Sequence, residues 1–162
     1  MDSKSVMQMH TWEGNLANAI RDVFQDEELK TLMLIPENDM DSLVAFRDKY
    51  FVNQPISDRL MFTQRVRVLY SQENPTESNS PHVMYHRVYC HIFVKNTDAY
   101  TVGQDRMIHR GDLIAVRLKQ LFCNMPHENI RFTCRGIYDL SSKMEGYDHK
   151  CVVFRYKRIY TY

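Results

Sequence analysis

Residues Gln104–Met125 read Q-D-R-M-I-H-R-G-D-L-I-A-V-R-L-K-Q-L-F-C-N-M, and their folding decides where the rest of the chain can go. At 100° per residue, Met107, Gly111, Ile114, Ala115, Leu118, Leu121, Phe122 and Met125 share one face of a helix. Arg106, His109, Asp112, Arg117, Lys119 and Gln120 take the remainder. Thr101 and Gln104 have the spacing of a capping box at its start. Gly111 stands within the apolar face, where a missing side chain lets the helix lie close on another surface. That approach must outweigh the roughly 1 kcal/mol that a mid-helix glycine costs relative to alanine. Leu113 and Val116 fall off the main stripe, which predicts a second covered side, under the N-terminal helices or a neighbouring subunit.

Aromatic and β-branched strands surround this helix. Thr63–Ser71 alternates Arg65 and Arg67 against Val66, Val68 and Tyr70, and Val83–Lys95 returns as its partner. Ile130–Leu140 alternates Ile130, Phe132 and Cys134 against Arg131, Thr133 and Arg135, and Cys151–Tyr160 is the last strand. A sheet with the helix across it is the simplest way to bury the stripe. Gln72–Pro81 holds no apolar residue and predicts a solvated hairpin tip far longer than a minimal turn. Upstream, Leu16, Ile20, Val23 and Phe24 mark a first helix, and Leu29, Leu32 and Met33 mark a second ending before Pro36. Leu43, Phe46 and Tyr50 mark a third, capped by Asp41 or Ser42. The expected fold is α+β: a small, mainly antiparallel four-stranded sheet with one long helix packed across it, N-terminal helices and a long protruding β-hairpin. One domain is expected, with residues 1–12 a loose arm, 13–58 a helical N-terminal part and 59–162 the sheet-plus-helix core.

The 162 residues carry a net charge of only +1, which weighs against an autonomous nucleic-acid binder. The distribution is more informative: residues 1–80 hold 8 Lys/Arg against 13 Asp/Glu, and residues 81–162 hold 13 against 7. Such polarity suits head-to-tail docking of copies, and it equally arises when acidic helices happen to precede basic strands. Cys90, Cys123, Cys134 and Cys151 form no CxxC pair, and no apolar leader or membrane-length run is present. Reduced thiols and a cytosolic-type chain are expected, with no membrane association.

The densest ligand-type cluster is His82, His86, Cys90 and His91, but it lies in strand sequence, which spreads its members along the chain. Glu28-Leu29-Lys30 has the E-x-K spacing of metal-dependent nucleases and lies in helical sequence among other acids. No phosphate-binding, dinucleotide-binding, zincin or nucleophile-elbow motif occurs. No catalytic residue, metal or cofactor is therefore expected. Aromatic strands interleaved with Arg and Lys leave a small RNA-binding module as a competing reading.

The chain resembles the head–tail connection (neck) proteins of tailed bacteriophages, which lie between portal and tail in phages of Gram-positive hosts. The resemblance rests on D-S-L-V-A-F-R-D-K-Y-F-V (Asp41–Val52), Thr63–Tyr70, Tyr89–Asn96, and D-R-M-I-H-R-G-D-L-I-A-V-R-L-K-Q-L-F (Asp105–Phe122). Strands ending in F-R-Y-K-R-I-Y (Phe154–Tyr160) complete it, so that it spans roughly residues 13–160. Within that group it is most similar to tail terminator proteins. The resemblance implies a non-enzymatic ring, usually a hexamer, that caps the tail tube and joins it to the head. Its implied partners are copies of itself, other neck proteins, the tail tube and sheath proteins. DNA would pass through the lumen without sequence-specific binding. The implied location is the neck of the virion, and the host cytoplasm during assembly; a head-completion adaptor or stopper ring is the alternative. The residues expected at the interfaces are Arg65, Arg67, Arg131 and Arg135 on strand faces, Asn74, Thr76 and Glu77 in the hairpin, and Leu113 and Val116 on the second side of the helix.

Overall fold

The structure, a computed structural model, describes residues 16–57, 60–73, 76–77, 83–103, 105–124, 131–142 and 144–159. The expected arm at 1–12, Asn74, Gln104, Met125 and the terminal tyrosines Tyr160 and Tyr162 lie outside the described residues. The helices are α1 (residues 16–24), α2 (Glu27–Leu32), α3 (Leu43–Ala45, continued by a π turn over Phe46–Tyr50) and α4 (Arg110–Cys123). The strands are β1 (Phe51–Asn53), β2 (Val66–Gln72), β3 (Thr76–Glu77), β4 (Val83–Lys95), β5 (Tyr100–Val102), β6 (Met107–His109), β7 (Phe132–Leu140) and β8 (Tyr147–Ile159).

The α+β class is as expected, but the sheet is wider and mixed. Its order is β1-β2-β4-β8-β7, with β3 also paired to β4, and β5 and β6 form a separate two-stranded ribbon. All pairs in the main sheet are antiparallel except β1 with β2. Three-residue β1 follows directly on the π turn, too short to show a period of two, so it reads as the tail of a helix. The polar stretch Gln72–Pro81 is also not all loop, because Thr76 and Glu77 pair with Tyr85 and Met84 and extend the edge begun by β2.

Helix α4 begins six residues later than the start of the quoted stretch. Met107, Ile108 and His109 pair with Val102, Thr101 and Tyr100 as an extended ribbon, and Met107 is 67% exposed rather than part of the apolar face. The expected capping box is not formed: His109 occupies the N-cap position with no side-chain hydrogen bond. Arg110 ties the junction instead, donating to the carbonyls of Asp98 (2.9 Å) and Leu32 (3.1 Å). From Gly111 on, the stripe is as read: Gly111, Ile114, Ala115, Leu118, Leu121 and Phe122 are buried.

Those residues meet the inner face of the sheet. Val88, Cys90, Ile92 and Val94 of β4, Val152, Phe154 and Tyr156 of β8, and Phe132 of β7 form one cluster with them. Phe122 stacks on Phe154 at 4.7 Å and meets Phe132 edge-on at 5.0 Å. The same cluster takes Leu16, Ile20 and Val23 of α1, Leu29 of α2, and Phe46 and Phe51, so the N-terminal helices and the sheet share one core. Among the described residues, the outer face carries an apolar cover at one end. There Leu60 and Phe62, with Ile56, pack on Leu69, Phe93 and Tyr147, and the Tyr147 hydroxyl donates to the Gln64 carbonyl at 2.8 Å.

Asp26 joins α2 to α4. Its carboxylate caps α2 by accepting from the Leu29 amide (2.8 Å) and also accepts from Arg117 Nε (2.9 Å). The Arg117 hydrogen bond is the main reason its carboxyl is held below the usual range; burial opposes the shift and the Leu29 amide adds to it. A carboxyl with a depressed folded pKa stabilises the fold above its unfolded pKa of about 3.9. The contribution is lost as pH falls through the folded value. Arg117→Met leaves this largely buried carboxylate without its charged partner and is expected to cost about 1–3 kcal/mol at neutral pH. The difference from wild type should shrink as pH falls below about 4, as urea unfolding at a series of pH values would measure.

Candidate interaction surfaces

The residues expected at interfaces are not brought to one place. Arg65 is exposed and bound to Asp98 through Nε (3.0 Å) and a second nitrogen (2.6 Å). Arg67 is only half-buried: its guanidinium lies 5.0 Å from the centre of the Phe62 ring and reaches Gln64 at 3.4 Å. Burial pushes its pKa down, so Arg67 is pinned beneath the segment that crosses the outer face and does not offer itself to a partner. Thr76 and Glu77 form β3, and Asn74 lies outside the described residues. On α4, Leu113 is half-buried and Val116 is 48% exposed, so the second apolar side is not closed within the protomer.

Arg131 just precedes β7, a long edge strand of the sheet, and Arg135 lies within it; both are exposed. Arg135 sits in a register shift between Cys134 and Gly136, where a bulge adds a residue opposite β8. The Tyr138 ring lies over Gly136, filling space that any Cβ there would need. Ile137, Tyr138 and Leu140 are 39%, 51% and 42% exposed on this same edge. Arg135, a bulge and three exposed apolar groups therefore share one nine-residue strand with no partner on its far side among the described residues. Sequence alternation alone hides this, because exposure here comes from edge position and not from strand face.

A polar cluster missed in the sequence lies between the start of α4 and the β7–β8 hairpin, around a cavity of about 250 Å³. Lys150, although 8% exposed, is bound to Asp112 (2.6 Å) and Asp139. Burial would lower its pKa, but the two carboxylates raise it, so the ammonium stays charged and is not a nucleophile. Gly111 makes room here: a Cβ would sit 3.1–3.2 Å from the His109 ring. His109 Nε2 lies 3.0 Å from Asp148. Ser142 also lines the cavity, but its hydroxyl donates to the Met144 carbonyl (2.8 Å), turned into its own loop. The cluster is a set of clamps joining α4 to the hairpin.

His86 and Cys90 lie on the inner face, His86 stacked on Tyr156 at 4.7 Å, whereas His91 is on the outer face. His91 meets His149 (2.8 Å) and lies 3.9 Å from the Cys151 sulfur. His82 lies outside the described residues, and no group of three or more His, Cys, Asp or Glu among the described residues is placed to hold a metal ion. In Glu28-Leu29-Lys30, Lys30 is buried and bound to Glu27 (2.7 Å) and the Met40 carbonyl (2.9 Å). Burial raises the Cys90 thiol pKa and pushes that of Cys151 up to about 11, so neither is a thiolate at neutral pH. No helix among the described residues is long and apolar enough to cross a membrane.

The chain matches no known protein family and no characterised protein in sequence.

Lys150 gives the sharpest test of whether the cluster is structural. Asp112 and Asp139 are 57% and 86% exposed, so removing the ammonium returns both to water rather than stranding them. Lys150→Met is expected to change stability by less than about 1 kcal/mol, measured by urea unfolding at neutral pH.

Proposed function

We propose that this chain is a structural protein of a tailed-phage virion that assembles into a ring in the neck, terminating the tail tube and joining it to the head. The observation that carries the reading is the β7 edge, where Arg135, Ile137, Tyr138 and Leu140, with Arg131 just before the strand, are exposed on a strand that has no further partner among the described residues. Such an edge invites pairing with another chain. Its bulge and arginines restrict which partner can join, as edge strands in stable proteins commonly do. Val116 on α4 adds an apolar group that the protomer itself leaves open.

The segregation of charge supports association of unlike surfaces. A heterologous contact of that kind closes a ring when its rotation permits. The contacts around Lys150 join the start of α4 to the β7–β8 hairpin, so the helix and the sheet edge belong to one packed unit. A head-completion adaptor or stopper ring of the same neck would use the same surfaces; position in the virion separates it from a terminator. Negative-stain electron microscopy of the purified protein is expected to show closed rings with a central opening. Isolated protomers at high protein concentration would contradict the reading.

A further inference from the structure

The β4–β8 register places Arg87 directly opposite Arg155, and Tyr85 opposite Lys157, on the outer face of the sheet. Like charges in a directly opposed pair repel. The Arg155 guanidinium lies 4.4 Å from the centre of the Tyr85 ring, a cation–π contact that offsets part of that repulsion. Arg87 is bonded to the Tyr89 hydroxyl, which itself donates to Glu73 at 2.6 Å. Glu73 is therefore the acid that these contacts bring to the patch. The segment carrying Leu60 and Phe62 packs farther along the strands, on Leu69, Phe93 and Tyr147. Arg87 and Lys157 are exposed, and Tyr85 and Tyr89 half-buried. Tyrosines and paired arginines without full cover are the composition of a protein-binding centre.

We propose that this face receives the acidic turn Asp41–Asp48 of a second copy of the chain, an inference that rests on the ring-forming reading above. Residues 16–53 hold eight Asp and Glu against four Lys and Arg. On this short segment Asp41, Val44 and Asp48 are all exposed, Val44 by 71%. Its basic residues are already engaged: Lys49 with Asp39 at 3.5 Å, and Arg47 with the Tyr70 hydroxyl. The turn thus presents acid, apolar, acid, matching arginines that flank tyrosine rings. It lies on the helical side of the sheet, where Phe46 joins the inner core, and the arginine pair lies on the other side. The contact is therefore between unlike surfaces and propagates from copy to copy. A single-stranded nucleic acid would find the same cations and rings, but the near-neutral chain and the shape of the acidic turn favour a second copy.

The test is native mass spectrometry of wild type, R87E/R155E, D41K/D48K and an equimolar mixture of the two variants, with circular dichroism to confirm folding. Each variant alone is expected to lose assembly roughly tenfold or more, because it sets like charges against each other. The mixture is expected to regain it as alternating one-to-one assemblies, a rescue that misfolded protein could not give. Variants that assemble like wild type would overturn this contact and leave the ring reading intact. Wild type that never assembles would end both. Binding of labelled oligothymidine that R87E/R155E abolishes without affecting assembly would assign the face to nucleic acid and overturn the proposal.

Discussion

The thirteen-residue antiparallel pairing of β4 with β8 is the constraint to which the rest of the structure is referred. Because side chains alternate along a strand, one register assigns every residue of both strands to a face. It sets Val88, Cys90, Ile92 and Val94 beside Val152, Phe154 and Tyr156, and so creates the apolar surface on which α4 lies. A slip of β8 by one residue would turn Val152, Phe154 and Tyr156 outward and bury Arg155 and its charged neighbours. Each such side chain is worth about 1.5–3 kcal/mol on burial, so the register is strongly specified. The same pairing sets Arg87 against Arg155. The repulsive pair on the outer face is thus a direct consequence of the packing on the inner one.

What could be read from the sequence divides along physical lines. The apolar stripe from Gly111 to Phe122 repeats over three turns, and a signal of that length survives whatever surrounds it. The start of the helix was misplaced because Met107 continues the phase by coincidence, while Ile108 and its neighbours pair with β5 instead. Strand β1 escaped because three residues carry no period, and β3 because pairing with β4 stabilises a polar segment that has no apolar pattern. The same limit applies to the surfaces. Arg131 and Arg135 are legible as outward residues, but the exposure of Ile137 and Leu140 depends on β7 having no further neighbour among the described residues. The engagement of Arg67 with Phe62 and the clamps around Lys150 are tertiary contacts between distant segments. No local pattern announces them.

The described chain ties its elements together internally and leaves several surfaces uncovered. Its core is shared by helices and sheet, and its ion pairs, such as Asp26–Arg117, tie elements together internally. Outward it shows a sheet edge with no further partner among the described residues, a mismatched arginine pair and an acidic turn with an exposed valine. Each is costly or hazardous in a lone protein, and each is neutralised if copies of the chain cover one another. In such an assembly charge would supply the direction of the contact and apolar groups its permanence, which would make the association sensitive to ionic strength.

Sedimentation velocity over a range of protein concentrations and salt is the most direct measurement of this account. The prediction is a single discrete multiple of the protomer, unchanged in size as concentration rises and driven back toward protomer by salt. A protomer mass under every condition, or a ladder of species that keeps growing with concentration, would contradict it.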